Sequence, residues 1–308
     1  MRYRDSMINY EKDDYIVSAQ AKSGLIRGFA MRSTALVEDA RHLHELCPTT
    51  TVALGQLLTA NALMASDLKT DEASLTLNIR GDGPLHTLLT VGSKNGQVRG
   101  FADPPAVETI YTEDGRIDIA RAIGNGTLNV SRDDGLNRRP YVSSVELVKS
   151  TVAHEIASYL YFSAQIPSVV LLGVKLSPDG VKHAGGMLLQ LMPGWDDRLA
   201  DWLEQRAQGF PEITYWFEEG MNPHQLLDLM LGDPDIKYAD PARAAFRCTC
   251  REERMLDNLF ALPADDIREL IQDPAGVHVN CHFCNKHYHF SQDTLSAVLA
   301  ARTAGQGD

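Results

Sequence analysis

The sequence contains no run of eighteen consecutive apolar residues, so it has no segment able to cross a bilayer as a helix. Its first residues, Met1 to Asp5, lack the apolar stretch of a secretory leader, and the chain reads as cytoplasmic. Positive charge is in deficit: 29 Lys and Arg stand against 41 Asp and Glu, a net charge of -12. No global attraction to phosphate backbones or anionic lipid is available, so neither a nucleic acid nor a membrane is expected as partner. A phosphate loop is missing as well. Gly81-Asp82-Gly83, Gly124-Asn125-Gly126 and Gly185-Gly186 have no Lys-Ser/Thr after them and read as turns. No Ser, His and Asp constellation stands out, and His154 and Glu155, adjacent on a helix, point apart and read as structural. No enzymatic role is expected. Cysteine is scarce, with five in 308 residues. In a reducing compartment so few thiols favour metal or redox chemistry over a disulfide framework.

Four of those five cysteines are gathered near the C-terminus, as Cys248-Thr249-Cys250 and Cys281-His282-Phe283-Cys284, with thirty residues between the pairs. Two close thiol pairs joined by a folding-length spacer can present four sulfurs tetrahedrally to one zinc ion at roughly 2.3 Å each. A shell of four thiolates leaves no position for water, which argues against metal-activated hydrolysis. Thiolates are open to oxidants, and a disulfide within the short Cys248-x-Cys250 half would be strained and easily reduced. From spacing alone a static zinc ribbon and a reversible sensor both remain open. His278, His282, His287 and His289 crowd the same region, but the sulfurs already fill the shell, so these are expected at the surface or behind the ligands. Cys47, on an apolar helical face just before Pro48, reads as an inert buried residue.

Three segments follow from the patterning. Residues 1–195 read as an α+β domain of antiparallel hairpins with segregated helices. Within it, strands are expected at Tyr15 to Ala19 and Leu25 to Met31, then a helix with Thr34 as N-cap and Pro48 ending it, and a helix from about Thr51 to Lys69 apolar nearly all round. Leu75, Leu77 and Ile79 alternate with polar residues as a half-buried strand, and Lys94-Asn95-Gly96 signals a hairpin. Residues 196–247 lose strand patterning and read as a helical linker cut into short pieces by Gly and Pro. It holds eleven acidic against five basic residues. Helices this short are marginal alone and need a surface to pack on. Residues 248–308 form a compact unit with Pro263 opening a helix, a strand Val277 to Asn280 delivering Cys281, and Ser291 capping a terminal helix. So small a core depends on its metal, and structural zinc contributes on the order of 10 to 16 kcal/mol of apparent binding free energy.

Phe246-Arg-Cys-Thr-Cys250, Arg251 to Arg254, Cys281-His-Phe-Cys284 and the aromatic pair Tyr288 and Phe290 together resemble the C-terminal domain of the heat shock protein 33 family, redox-regulated holdase chaperones. Upstream, Ala53 to Ala60, Ile79 to Pro84, Gln165 to Ser168 and Ala184 to Gln190 resemble that family's core motifs in order, so the likeness spans about residues 13–295. It implies a chaperone that is inactive when reduced and bound to one zinc per chain. Oxidation would pair Cys248 with Cys250 and Cys281 with Cys284, expel the zinc and unfold the linker. The protein would then hold unfolded clients without ATP under oxidative stress, commonly as a homodimer. Asn285 stands where the family often has glycine, and Asn tolerates the left-handed backbone such a site needs. Trp202, Phe210, Trp216, Phe217, Leu226 and Met230 on the linker would be exposed on its release and are the expected client-binding residues.

Two other functions compete. A constitutive zinc ribbon binding RNA or a protein would need a basic face for RNA, yet residues 248–308 hold five basic and nine acidic residues. A thiol-disulfide oxidoreductase would need a βαβ setting around Cys281-x-x-Cys284, which the sequence does not offer.

Overall fold

The computed structural model describes residues 8–136 and 139–304, with side chains to residue 302. It is α+β and divides into two compact units, residues 1–247 and 248–308.

The first unit runs β1 (Tyr15–Ala21), β2 (Ile26–Arg32), α1 (Thr34–His44), α2 (Pro48–Ala65), β3 (Ser74–Gly81), β4 (Thr87–Ser93), β5 (Gln97–Asp103), α3 (Ile119–Ile123), β6 (Gly126–Asp133), β7 (Tyr141–Glu146), α4 (Val152–Phe162), β8 (Ser168–Ser177) and β9 (Gly180–Leu191). Then come α5 (Asp197–Gln208), α6 (Ile213–Glu218), α7 (Pro223–Leu231) and three two-residue strands, β10 (Lys237–Tyr238), β11 (Ala242–Arg243) and β12 (Ala245–Phe246). One sheet has the order β10-β1-β2-β9-β8, with β11 also on β1. The other has the order β12-β5-β4-β3-β6-β7, antiparallel except for β12 on β5.

Helix α2 packs against strands of both sheets. That position explains its composition. Leu54, Leu57, Leu58 and Leu63 are all at most 1% exposed, and an all-round apolar helix is stable only where protein covers every side. The alternating Leu75, Leu77 and Ile79 of β3 face the same core.

Several boundaries differ from the sequence reading. Pro48 does not end α1. It is the first residue of α2, where its missing N–H costs nothing, while α1 stops at Glu45 in a left-handed conformation with φ 50°. Cys47 is therefore not on a helical face but at the N-cap of α2, half-buried, its sulfur within 3.1 Å of Thr50 Oγ1 and accepting from the Val107 N–H at 3.3 Å. Burial raises this thiol, but these and neighbouring backbone bonds outweigh it and leave its pKa below the ordinary value. Thr34 lies inside α1, its hydroxyl accepting from Ala184 N–H at 3.0 Å, and Ser33 precedes the helix. Gly185-Gly186 is not a turn but lies within β9. Glu155 is structural: its buried carboxylate accepts from the N–H groups of Val148, Lys149 and Ser150.

Residues 196–247 are not helical throughout, because three short strands follow α7. Two-residue strands have no period for a sequence pattern to reveal. The helices pack on the face of the first sheet opposite α2. Period two sorts the strands cleanly: Val17, Ala19, Ile26, Ala30, Met187 and Leu189 face the helices, while Ile16, Phe29, Met31 and Leu188 face α2. Leu203, Ile213, Phe217, Leu226, Leu227 and Met230 cover that outer face. Each such side chain fully buried contributes roughly 1.5–3 kcal/mol, which is what short helices require to form. Close approach is made possible by Gly173 and Gly185, paired across β8 and β9 beneath α6. Polar ties supplement the packing. Arg206 of α5 donates to the carbonyls of Leu229 and Met230 at the end of α7, and Glu218 of α6 pairs with Lys175 and Lys182 on β8 and β9.

The segment before Cys248 is stitched into both sheets: β11 pairs with β1, and β12 pairs with β5. Ala244 N–H donates to Asp14 O, and Arg247 N–H to Val98 O at 2.8 Å.

The second unit contains α8 (Glu252–Phe260), α9 (Ala264–Ile271), a hairpin of β13 (Val277–Asn280) and β14 (His287–Phe290), and α10 (Gln292–Ala304). Ser291 Oγ accepts from Thr294 N–H, as a cap does. Pro263 occupies the N-cap of α9, one position before the helix rather than inside it. Met255, Leu259, Tyr288, Phe290 and Leu295 form a small core.

Candidate metal centre

The four cysteines come from two short segments. Cys248 and Cys250 lie two residues apart just ahead of α8, a spacing that sets side chains on one side of an extended chain. Cys281 and Cys284 sit on a tight turn after β13. There Cys284 and Asn285 N–H both donate to Cys281 O, at 3.2 and 2.8 Å, and Lys286 O accepts from Cys281 N–H at 3.0 Å. Asn285 closes this knuckle at φ 51°, the left-handed conformation its side chain tolerates.

All four sulfurs lie within 4.8 Å of one another, with Cys248 to Cys281 at 3.7 Å and Cys250 to Cys284 at 3.2 Å. Ligands about 2.3 Å from a tetrahedral zinc stand about 3.8 Å apart, so the cluster needs little adjustment to hold the ion. Cys281 is buried, and the other three are partly so.

Burial raises the thiols of Cys248, to about 11, and of Cys284. It also acts on Cys250, but hydrogen bonds from Tyr288 Oη and the neighbouring sulfurs prevail and bring that thiol down to about 7. Cys250 is thus readily ionised beside Cys248 and Cys284, which hold their protons. Four adjacent thiolates are untenable without a cation, and a divalent soft-to-borderline metal that displaces the protons resolves the conflict. The donor set therefore fits zinc, which when bound neutralises the thiolates and fastens the two segments together. Among the described residues this is the group of three or more His, Cys, Asp or Glu placed to hold a metal.

Sequence reasoning missed Tyr288. Its hydroxyl donates to Cys250 Sγ at 3.1 Å. The alternation of Tyr288 and Phe290 with His287 and His289 separates the two faces of β14, but nothing in the pattern says that the tyrosine oxygen reaches a sulfur. His278, His282, His287 and His289 are exposed and outside the sulfur group.

The expected client-binding residues lie in the first unit. Phe217 of α6 and Leu226 and Met230 of α7 are buried against the sheet, and Trp202, Phe210 and Trp216 are half-buried beside them. In this conformation they serve as packing.

Comparison with known proteins gives a consistent result. Residues 14–291 match the family described as Hsp33 protein. The 33 kDa chaperonin of Acetivibrio thermocellus is 38% identical over 288 residues, covering 93% of this chain and 97% of the relative. That of Halalkalibacterium halodurans is 38% identical over 287 residues, covering 92% and 98%. The crystal structure of the 33 kDa chaperonin, a heat shock protein 33 homolog, from Thermotoga maritima superposes with a TM-score of 0.86 at 31% identity, covering 95% of this chain and 99% of that one. With the fold, the four converging sulfurs and nearly the full length in agreement, the chain belongs to the Hsp33 family.

Proposed function

We propose that this chain is an ATP-independent holdase chaperone of the cytoplasm, switched on by oxidation. When reduced, Cys248, Cys250, Cys281 and Cys284 hold one zinc ion and the linker stays docked. Peroxide then converts the sulfurs in pairs. A thiolate attacks the O–O bond to give a sulfenic acid and water, and its partner sulfur displaces the oxygen as a second water while the S–S bond forms. Two peroxides thus remove four ligands and leave Cys248–Cys250 and Cys281–Cys284 disulfides. The small unit loses its staple, residues 196–247 detach, and the chain binds unfolded proteins, as a homodimer.

The observation that carries this reading is the linker's position over an apolar sheet face. Its release uncovers two surfaces at once: the linker's own Trp202, Phe210, Trp216, Phe217, Leu226 and Met230, and the sheet residues Val17, Ile26, Ala30, Met187 and Leu189 beneath them. Exposed apolar area captures unfolded chains through the hydrophobic effect, while the acidic excess opposes self-association.

The test is to treat the zinc-loaded protein with peroxide under mild heat, then measure released zinc, free thiols and the aggregation of an unfolding client. Zinc release without client protection defeats the switch. Salt-sensitive RNA binding by the reduced protein would instead favour a constitutive zinc ribbon. Peptide mapping of the oxidised chain checks the pairing, because the sulfur contacts at 3.2 and 3.7 Å in this conformation, Cys250 to Cys284 and Cys248 to Cys281, run between the two halves.

A further inference from the structure

The small unit carries a second set of nitrogen donors that the four-thiol site does not use. In the β13–β14 hairpin, His278 lies directly across from His289, and Asn280 across from His287. Period two places all four on the hairpin's exposed face, while Tyr288 and Phe290 point into the core. The rings of His278 and His289 have centroids 4.7 Å apart, tilted by 47°.

The surroundings of His289 fix which nitrogen is free. Its Nε2 lies 2.7 Å from Ala275 O, and a carbonyl only accepts, so in the neutral ring Nε2 carries the proton and Nδ1 keeps the lone pair. Metal-binding histidines are typically oriented this way, one ring N–H held by an oxygen acceptor and the other nitrogen left bare. The acceptor is itself positioned by a built turn. Asp273 Oδ1 accepts from Ala275 N–H at 2.8 Å, Gly276 N–H donates to Asp273 O, and Gly276 adopts φ +75°. A Cβ at position 276 would stand 3.1 Å from His289 Nε2 and collide with Phe290 O, so glycine clears the space for the ring. His287 is held in the same way, its Nδ1 2.6 Å from Asn280 Oδ1, but the residue across the hairpin from it is that asparagine and not a second imidazole.

We propose that His278 and His289 form a second metal site, a two-imidazole pair for a borderline divalent ion such as zinc, built from residues other than the four cysteines. Imidazole suits zinc, and waters complete the coordination. The pair joins the two strands side by side, so an ion held there also braces the hairpin that delivers Cys281. The site stands on the hairpin geometry and does not depend on the chaperone reading.

The experiment uses the full-length reduced protein carrying its first zinc, dialysed against micromolar free zinc, with bound metal counted per chain. The unmodified protein is expected to hold two zinc ions, and His278→Ala and His289→Ala one each. His287→Ala is expected to keep two. Imidazole resonances of His278 and His289 in the unmodified protein should move as the second equivalent is added, a readout that needs no substitution. A wild-type count that stays at one overturns the site. So does a count of two in both pair variants, a loss in His287→Ala equal to theirs, or second-equivalent shifts at other histidines only.

Discussion

Gly173 and Gly185 face each other across β8 and β9, and the space left by their missing side chains is filled by Ile213, Thr214 and Phe217 of α6. A Cβ at Gly173 would stand 2.6 Å from Ile213 Cγ2 and 2.8 Å from Thr214 Cγ2, both on the linker. Gly173→Val is therefore expected to lift α6 while leaving the sheet paired. The reduced, zinc-loaded variant should be cut by protease within residues 196–247 and should suppress client aggregation without oxidant. A variant as protease-resistant and inactive as the wild type would show that α6 docking does not restrain the chain.

Met230 is fully buried between α7 and the sheet. Met230→Ala removes packing and leaves a cavity, a change that costs about 2–5 kcal/mol in a core. Urea unfolding should show that loss. If docking and activity are linked as proposed, less oxidant should be needed for half-maximal client protection.

Asp14 provides the pH test. Burial raises its carboxyl to about 6 against an ordinary value of 3.8, opposed by bonds such as Leu36 N–H to Oδ2 at 2.7 Å and by the charge of Arg32. A folded-state pKa above the unfolded one means that stability is fully present below the unfolded value and is lost as pH rises through about 6. A difference of that size corresponds to roughly 3 kcal/mol, an upper bound. Asp14→Asn keeps an oxygen for Leu36 and removes the buried charge. Its thermal midpoint should exceed that of the wild type at pH 8, with the gap closing at pH 4.5. An equal deficit at both values would refute the assignment.

Tyr288→Phe removes the hydroxyl that donates to Cys250 Sγ. A hydrogen bond to a thiolate withdraws electron density from it, so its loss leaves a sulfur more open to peroxide. With charge-assisted bonds worth about 1.5–3 kcal/mol, zinc release followed with a chromogenic chelator should accelerate by about tenfold or more. An unchanged or slower release would mean that the tyrosine does not protect the site.

The sequence carried the centre of the structure and lost its edges, for identifiable reasons. The all-round apolar helix and the alternating Leu75, Leu77 and Ile79 were legible because burial on every side, or on one side, imposes a period. The four cysteines were legible because two close-set thiol pairs are the spacing with which one chain surrounds a metal ion. Pro48 was misassigned because proline is equally at home after one helix and at the first position of the next, and only the left-handed Glu45 decides between them. The strands β10 to β12 were invisible because their partners, β1 and β5, lie more than a hundred residues away in sequence. Tyr288 escaped because a side-chain hydrogen bond to sulfur depends on distance, which a pattern of polarity does not encode.

The seam formed by β11 and β12 has a mechanical meaning. Each of these strands is two residues long, so each grips its neighbouring sheet through only a few backbone hydrogen bonds, in contrast to the wide apolar footprint of α6 and α7. Were the linker drawn away from residue 247, such a seam would fail one stitch at a time, starting at Phe246, whereas the helices would come away as a block. If the linker detaches as proposed, it would have a frangible end at β11 and β12 and a cooperative end at α6 and α7, with the order of peeling set by the lengths of its elements.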